Sequence, residues 1–335
     1  GKVYNGSSKK RINGKYYMFN KHGQMLYEWI NNSQAVTHGS NSQLDNETLR
    51  NTASASDMFY YNVVEDGSRG NGWQELDGSI SMDTDNDTDW YYIDEGEMLH
   101  ASNVINGSDY ATYDEDREPV FRMRDKVKES GNKYFCFNEN GQMQTGLQYI
   151  KDAGGFFYYD ENGYQKDGRV TSIECDDDDY TFYFNTSNGK NGLGYTGEKD
   201  NYLYFNGKRL EADDDYRFYY VEGDVYLVNT KGKIQKATGD GKKYDDIENE
   251  AYNGKEDVIV ITNKNGVVKS INGVEIKNKE ASKDILRDID WTKDVTDDKN
   301  SASVTIPFIA LYDDVYTYRE QRDGKIMATW RGDNQ

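Results

Sequence analysis

The chain has 335 residues, with 60 acidic against 40 basic and a formal net charge of −20. Binding nucleic acid, or adsorbing to an anionic membrane, needs clustered Lys and Arg to meet the phosphates, and no such cluster occurs. Hydrophobic residues are only 35% of the chain, and no apolar run approaches the ~18 residues of a membrane-spanning helix, so membrane insertion is not expected.

Aromatics nevertheless reach 14%, with 29 Tyr, which argues against disorder and for a thin fold whose buried area comes from rings. No signal peptide is visible, and Gly1 leads directly into strand-like sequence, as expected of a processed N-terminus.

In chain order, the first element is KYYMFNKHGQMLYEW from Lys15: an aromatic run, Asn20, Gly23 three residues on, and a returning strand. Residues 31–57, rich in Ser, Asn and Thr, read as a long surface insertion. Further units of the same form follow at 59–73 and 89–101. Residues 120–129 read as a short helix.

The clearest copies are KYFCFNENGQMQTGL from Lys133 and GFFYYDENGYQKDGR from Gly155, with Asn138–Gly141 and Asp160–Gly163 repeating the offset. Looser units occupy 181–195, 201–212 and 216–237. The polar stretch 238–257 reads as a linker. Beyond it come a β-branched unit at 258–271, a second short helix at 282–289 and a last unit at 315–330.

Aromatic and β-branched runs favour strands, and the Asn-x-x-Gly turns close hairpins. In the return strand Met143 should face the packed side, with Gln142 and Gln144 outward. A lone hairpin is marginal in water, so the units must stack. The expected fold is all-β, an elongated solenoid-like stack of short hairpins. Its parts are an array over 1–237, the linker over 238–257 and a divergent section over 258–335.

Chemistry-bearing motifs are sparse. His22, His38 and His100 are scattered, and neither HExxH nor Gly-x-Ser-x-Gly occurs. The chain is therefore expected to be no enzyme, with no catalytic residues and no cofactor. Asp83, Asp85, Asp87 and Asp89 alternate like a calcium loop, with Asp94 twelfth, but Thr88 stands where such loops need Gly. A solvated acidic turn is the simpler reading, and no metal is expected. The runs Asp176–Asp179 and Asp213–Asp215 read as surface charge. Cys136 sits in an aromatic strand as a small buried hydrophobe, and pairing with Cys175 stays open.

The repeat resembles the cell-wall-binding repeat of Gram-positive surface proteins, of the choline-binding or glucan-binding type. GQMQTGL at 141–147 is similar to the second half of that unit, with Leu147 where Trp is usual. Trp90-Tyr91-Tyr92 followed by Gly96-Glu97-Met98 is similar to its centre, MATW at 327–330 to its end, and NGW at 71–73 to its Gly-Trp. Repeat domains of clostridial-type toxins that bind glycans look similar, with Tyr and Phe replacing Trp.

The resemblance implies non-catalytic attachment outside the cell, secreted and wall-associated, to teichoic-acid choline or a surface glycan. Aromatic side chains of successive units would wall the ligand. Residues chosen on that basis are Trp73, Trp90 and Tyr92, then Tyr16, Tyr17 and Trp29. The remaining rings are expected to be core. Only five Trp occur and none lies between 133 and 237, so a choline box there would need Tyr and Phe walls. Alternatives are an adhesive spacer that binds a host protein, or the receptor-binding repeats of a secreted toxin or glucan-processing enzyme.

Overall fold

The computed structural model describes residues 9–31, 53–82, 84, 88–101, 112–113, 119–120, 122–127, 130–131, 133–150, 153, 155–175, 178–186, 189–222, 224–249, 252, 254–276, 316–322 and 325–331. Among them there is no α-helix; strands in small antiparallel sheets are joined by tight turns and short 3₁₀ segments.

The three-residue offset between Asn or Asp and Gly has a local cause. Asn138 Oδ1 accepts hydrogen bonds from the N–H groups of Asn140 and Gln142, at 3.0 and 2.9 Å. The Gly141 N–H donates back to the Asn138 carbonyl at 3.1 Å. Asn20, Asp160, Asn229 and Asn263 repeat this pattern atom for atom. Each side chain satisfies two turn amides that would otherwise need water. Glycine follows because the turn closes at positive φ, 80° at Gly141.

These glycines also form the seams between hairpins. The residue two places after one turn glycine packs on the turn glycine of a later hairpin: Met25 on Gly67, Arg69 on Gly96, Met98 on Gly141, Met143 on Gly163. Arg209 on Gly232 and Ile234 on Gly266 continue the rule. A Cβ at Gly141 would lie 2.6 Å from Met98 Sδ, so the seam needs a residue with no side chain. Backbone bonds such as Ala101 N–H to the Asn138 carbonyl, 2.9 Å, reinforce it. Stacking thus supplies the burial that a single hairpin lacks.

The chain divides into two compact units, one of residues 1–111, 119–152 and 159–165, the other of 112–118, 153–158 and 166–335. In the first, Gly72–Asp77, Thr88–Asp94 and Glu97–Met98 form one sheet, and Arg122–Val127, Lys133–Asn138 and Met143–Gln144 another. Glu28–Asn31 pairs with Met58–Tyr61, so the long polar insertion joins two paired strands. Its residues 32–52 lie outside the described residues.

In the second unit, a five-stranded sheet of Gly168–Cys175, Asp178–Phe184, Lys208–Arg209, Tyr202–Phe205 and Gly197–Lys199 is followed by the Tyr216–Val221/Asp224–Asn229 hairpin. A four-stranded sheet, Lys242–Tyr244, Val258–Thr262, Val268–Ile271 and Val274–Glu275, comes next. The Tyr316–Arg322/Lys325–Arg331 hairpin forms as expected for the last unit.

Two sequence expectations are corrected. The helix over 120–129 is not formed: Arg122–Val127 is an edge strand in six-residue register with Lys133–Asn138, whose ladder bonds replace those that a short helix would leave open at its ends. The stretch 238–257, expected as a linker, is folded among its described residues. Lys242–Tyr244 is a strand, and Tyr244, Ile247 and Tyr252 are buried in one core with Phe218, Val258 and Val260. Three apolar residues in a polar stretch suffice when all point inward. The helix expected over 282–289 lies outside the described residues.

Candidate functional site

In the first unit, three successive hairpins place side chains around one cavity. Trp73 and Tyr92 are direct cross-strand partners, with ring centroids 5.3 Å apart, edge to face. Trp73 then packs on the next hairpin, 4.6 Å from Phe135 and 5.9 Å from Phe137. Its Nε1–H donates to Ser130 Oγ at 2.8 Å, which fixes the indole's tilt. Phe135 meets Tyr164 edge to face at 5.5 Å. Tyr164 is held in turn by its N–H bond to Asp160 Oδ1 at 2.9 Å.

Trp73, Phe135 and Tyr164, with Trp90, Met143, Ser130, Glu161 and Asn162, line an open cavity of about 260 Å³. Trp90 is 43% exposed, far more than a core ring needs. Met143 presents a polarizable thioether to the same space while its Sδ seals the seam at Gly163. Among the described residues Glu161 is the one carboxylate in the lining, and its side chain stands in solvent.

The other sequence-selected residues go elsewhere. Tyr92 is 7% exposed and lies in the core cluster under Trp73 rather than on the cavity wall. Trp29 is 4% exposed, wedged between Tyr60 at 5.0 Å and Tyr91 at 5.2 Å, with Nε1–H donated to the Asp77 carbonyl at 2.8 Å. It is a core residue. Tyr16 and Tyr17 are neighbours on Lys15–Phe19 and so point to opposite faces. The structure therefore does not gather Tyr16, Tyr17 and Trp29 at one surface.

Tyr16 lines a second, wider hollow of about 680 Å³ with Lys15, Asn62, Asp66, Arg69, Gln74 and Trp73. Its polar groups are largely satisfied by one another. Arg69 lies over the Tyr16 ring at 4.5 Å and pairs with Glu95 at 3.3 Å, and Lys15 bonds Asp66 at 2.9 Å. The Lys15 hydrogen bond, then that from Ser68, holds the Asp66 carboxyl below its ordinary pKa.

Of the acidic motif, Asp83, Asp85 and Asp87 lie outside the described residues, and Asp89 accepts a 2.6 Å bond from Gln142 Nε2. Among the described residues no group of three His, Cys, Asp or Glu is placed to hold a metal ion. Cys136 is fully buried, as expected. Asp213, Asp214 and Asp215 are exposed. No helix among the described residues is long and apolar enough to cross a membrane.

Sequence reasoning found Trp73 and Trp90 but missed Phe135, Met143 and Tyr164 as their partners. The usable signal was the seam rule: Met143 is two residues beyond Gly141, and Tyr164 directly follows the glycine on which Met143 packs.

No protein-family model matches the chain, and no curated protein matches it. Among solved structures, choline binding protein F from Streptococcus pneumoniae is 15% identical with a TM-score of 0.26, over 82% of this chain and 91% of that one. The choline-binding domain of CbpL from Streptococcus pneumoniae is 18% identical with a TM-score of 0.27, over 61% and 100%. Alternansucrase in complex with isomaltononaose is 16% identical with a TM-score of 0.25, over 78% of this chain but only 16% of that chain. At such low similarity the site's chemistry rests on its own residues.

Proposed function

We propose that this protein is a non-catalytic binding module, displayed outside the cell, that attaches to choline-bearing cell-wall or surface glycan. In this reading the box of Trp73, Trp90, Phe135 and Tyr164 holds a trimethylammonium group. The observation that carries the reading is the convergence of four aromatic rings and Met143 on one small cavity with an exposed Trp90. Several rings attract a soft, weakly hydrated cation, and Met143 suits its methyl groups.

At 260 Å³ the cavity suits a head group better than an oligosaccharide. Glu161 adds negative charge at the lining, which favours a cationic ligand. At about 1 kcal/mol per ring the site would bind with a Kd of the order of 1 mM. Useful attachment would then depend on many choline groups presented together. The wider hollow at Tyr16, rich in amides and paired charges, favours a second reading in which a neutral sugar is the ligand.

Tryptophan fluorescence titration with choline at high salt tests the proposal, since salt suppresses simple ion exchange by a chain of charge −20. Saturable binding is expected, reduced about 5-fold in Trp90→Ala. Binding unchanged in that variant would remove the box. Binding to a glycan array but not to choline would favour the sugar reading, and binding to neither would favour a structural spacer.

A further inference from the structure

Lys133 opens the Lys133–Asn138 strand, and strand alternation sets it on the same face as Phe135 and Phe137. Its Nζ lies 3.6 Å from the centre of the Tyr164 ring. That is contact distance, so one face of Tyr164 already carries an ammonium. Tyr164 is also a wall of the aromatic box, whereas Lys133 does not line the cavity.

A ring polarised toward one cation attracts a second less, and the two cations repel each other. The sign is the same whether this exposed lysine stays against the ring or swings across it: a bare monocation in the box is penalised. A ligand with an anionic group beside its quaternary ammonium reverses that sign. Its cation can sit among the rings near Glu161 while its anion offsets the Lys133 charge across Tyr164.

We infer that Lys133 is the specificity-determining residue of the box, selecting zwitterionic quaternary-ammonium ligands over bare cationic ones. The inference rests on the box being the ligand site. For charges several ångströms apart in a solvated setting, the discrimination is roughly three-fold.

The test is fluorescence titration of the full chain with choline and with phosphocholine, at constant ionic strength, for the parent, Lys133→Gln and Lys133→Arg. The parent and Lys133→Arg should prefer phosphocholine by about three-fold, and Lys133→Gln should bind choline about three-fold more tightly and lose the preference. An unchanged ratio in Lys133→Gln overturns the role of Lys133 and leaves the box standing. Loss of preference in Lys133→Arg as well would show that the side chain acts by shape, and would also overturn it. Failure of the parent to bind either ligand overturns both the inference and the box.

Discussion

The two units use one turn and build two kinds of seam. Asp160 in the first unit and Asn229 and Asn263 in the second accept the same pair of backbone N–H groups. In the second unit Ile234 packs on Gly266, and Phe218, Leu227, Val258, Val260 and Ile271 close the space behind it into a core. In the first, Met143 packs on Gly163, and Trp73, Phe135 and Tyr164 leave a cavity of about 260 Å³. In the second unit's core Val225, Val258, Val260, Val268 and Ile271 fill the gaps between Phe218, Tyr244 and Tyr252, whereas the rings around the cavity have only Met143 as an aliphatic filler. The turn thus fixes where hairpins meet, and the residues beside it decide whether the seam is closed or open.

That contrast can be broken experimentally. The largest expected effect is at Trp29: Trp29→Ala should lower stability to urea by about 3–5 kcal/mol, because the indole is packed between Tyr60 and Tyr91. A loss below about 1 kcal/mol would return Trp29 to the surface.

Next are the seam glycines. A Cβ at Gly232 would sit 2.7 Å from the Leu210 carbonyl oxygen, which cannot move aside, whereas at Gly163 it meets the flexible end of Met143. Gly232→Ala should therefore cost about 2–4 kcal/mol and Gly163→Ala about 1–2. Reversed costs in urea melts would mean that the open seam is the stiffer one.

Smaller effects are expected at the turns. Asn229→Ala should cost about 0.5–1 kcal/mol, since it removes an acceptor for two exposed amides that solvent partly replaces. Asn138→Ala should cost about 1–1.5 kcal/mol, because its part-buried side chain also donates to Gln142 Oε1 at 2.7 Å. Equal losses in urea melts would show that the extra bond contributes nothing.

The last prediction concerns alkaline pH. Burial, then Glu28, pushes Tyr60 up from the ordinary 10.0 to about 12; burial, then Asp224, does the same for Tyr226. A tyrosine whose folded pKa is raised contributes stability that is fully present below pH 10 and lost as pH rises through about 12. One unit holds Tyr60 and the other Tyr226, so both should loosen in that window, with tyrosinate absorbance rising together with unfolding. Full titration of every tyrosine near pH 10 with the fold intact would contradict this burial.

The hairpins and their turns were legible because their causes are local. Asn138 needs only Asn140, Gly141 and Gln142 to make its turn, and those residues are adjacent in the chain. The fold of the 238–257 stretch is not legible in sequence because its average polarity hides Tyr244, Ile247 and Tyr252, whose burial depends on Phe218 and Val258. The 120–129 segment carried no turn signal, and its strand state comes from pairing with Lys133–Asn138.

The site divides in the same way. The sequence by itself determined that rings would alternate with glycine turns, and it marked Trp73, Trp90 and Tyr92, then Tyr16, Tyr17 and Trp29, as candidate ligand rings. Only the tertiary structure decided that Trp73 would lean on Phe135, that Trp29 would be buried, and that Tyr164 would face both the cavity and Lys133. The reason is range. Turn hydrogen bonds reach four residues along the chain, whereas a seam joins side chains brought together only when one hairpin stacks on another.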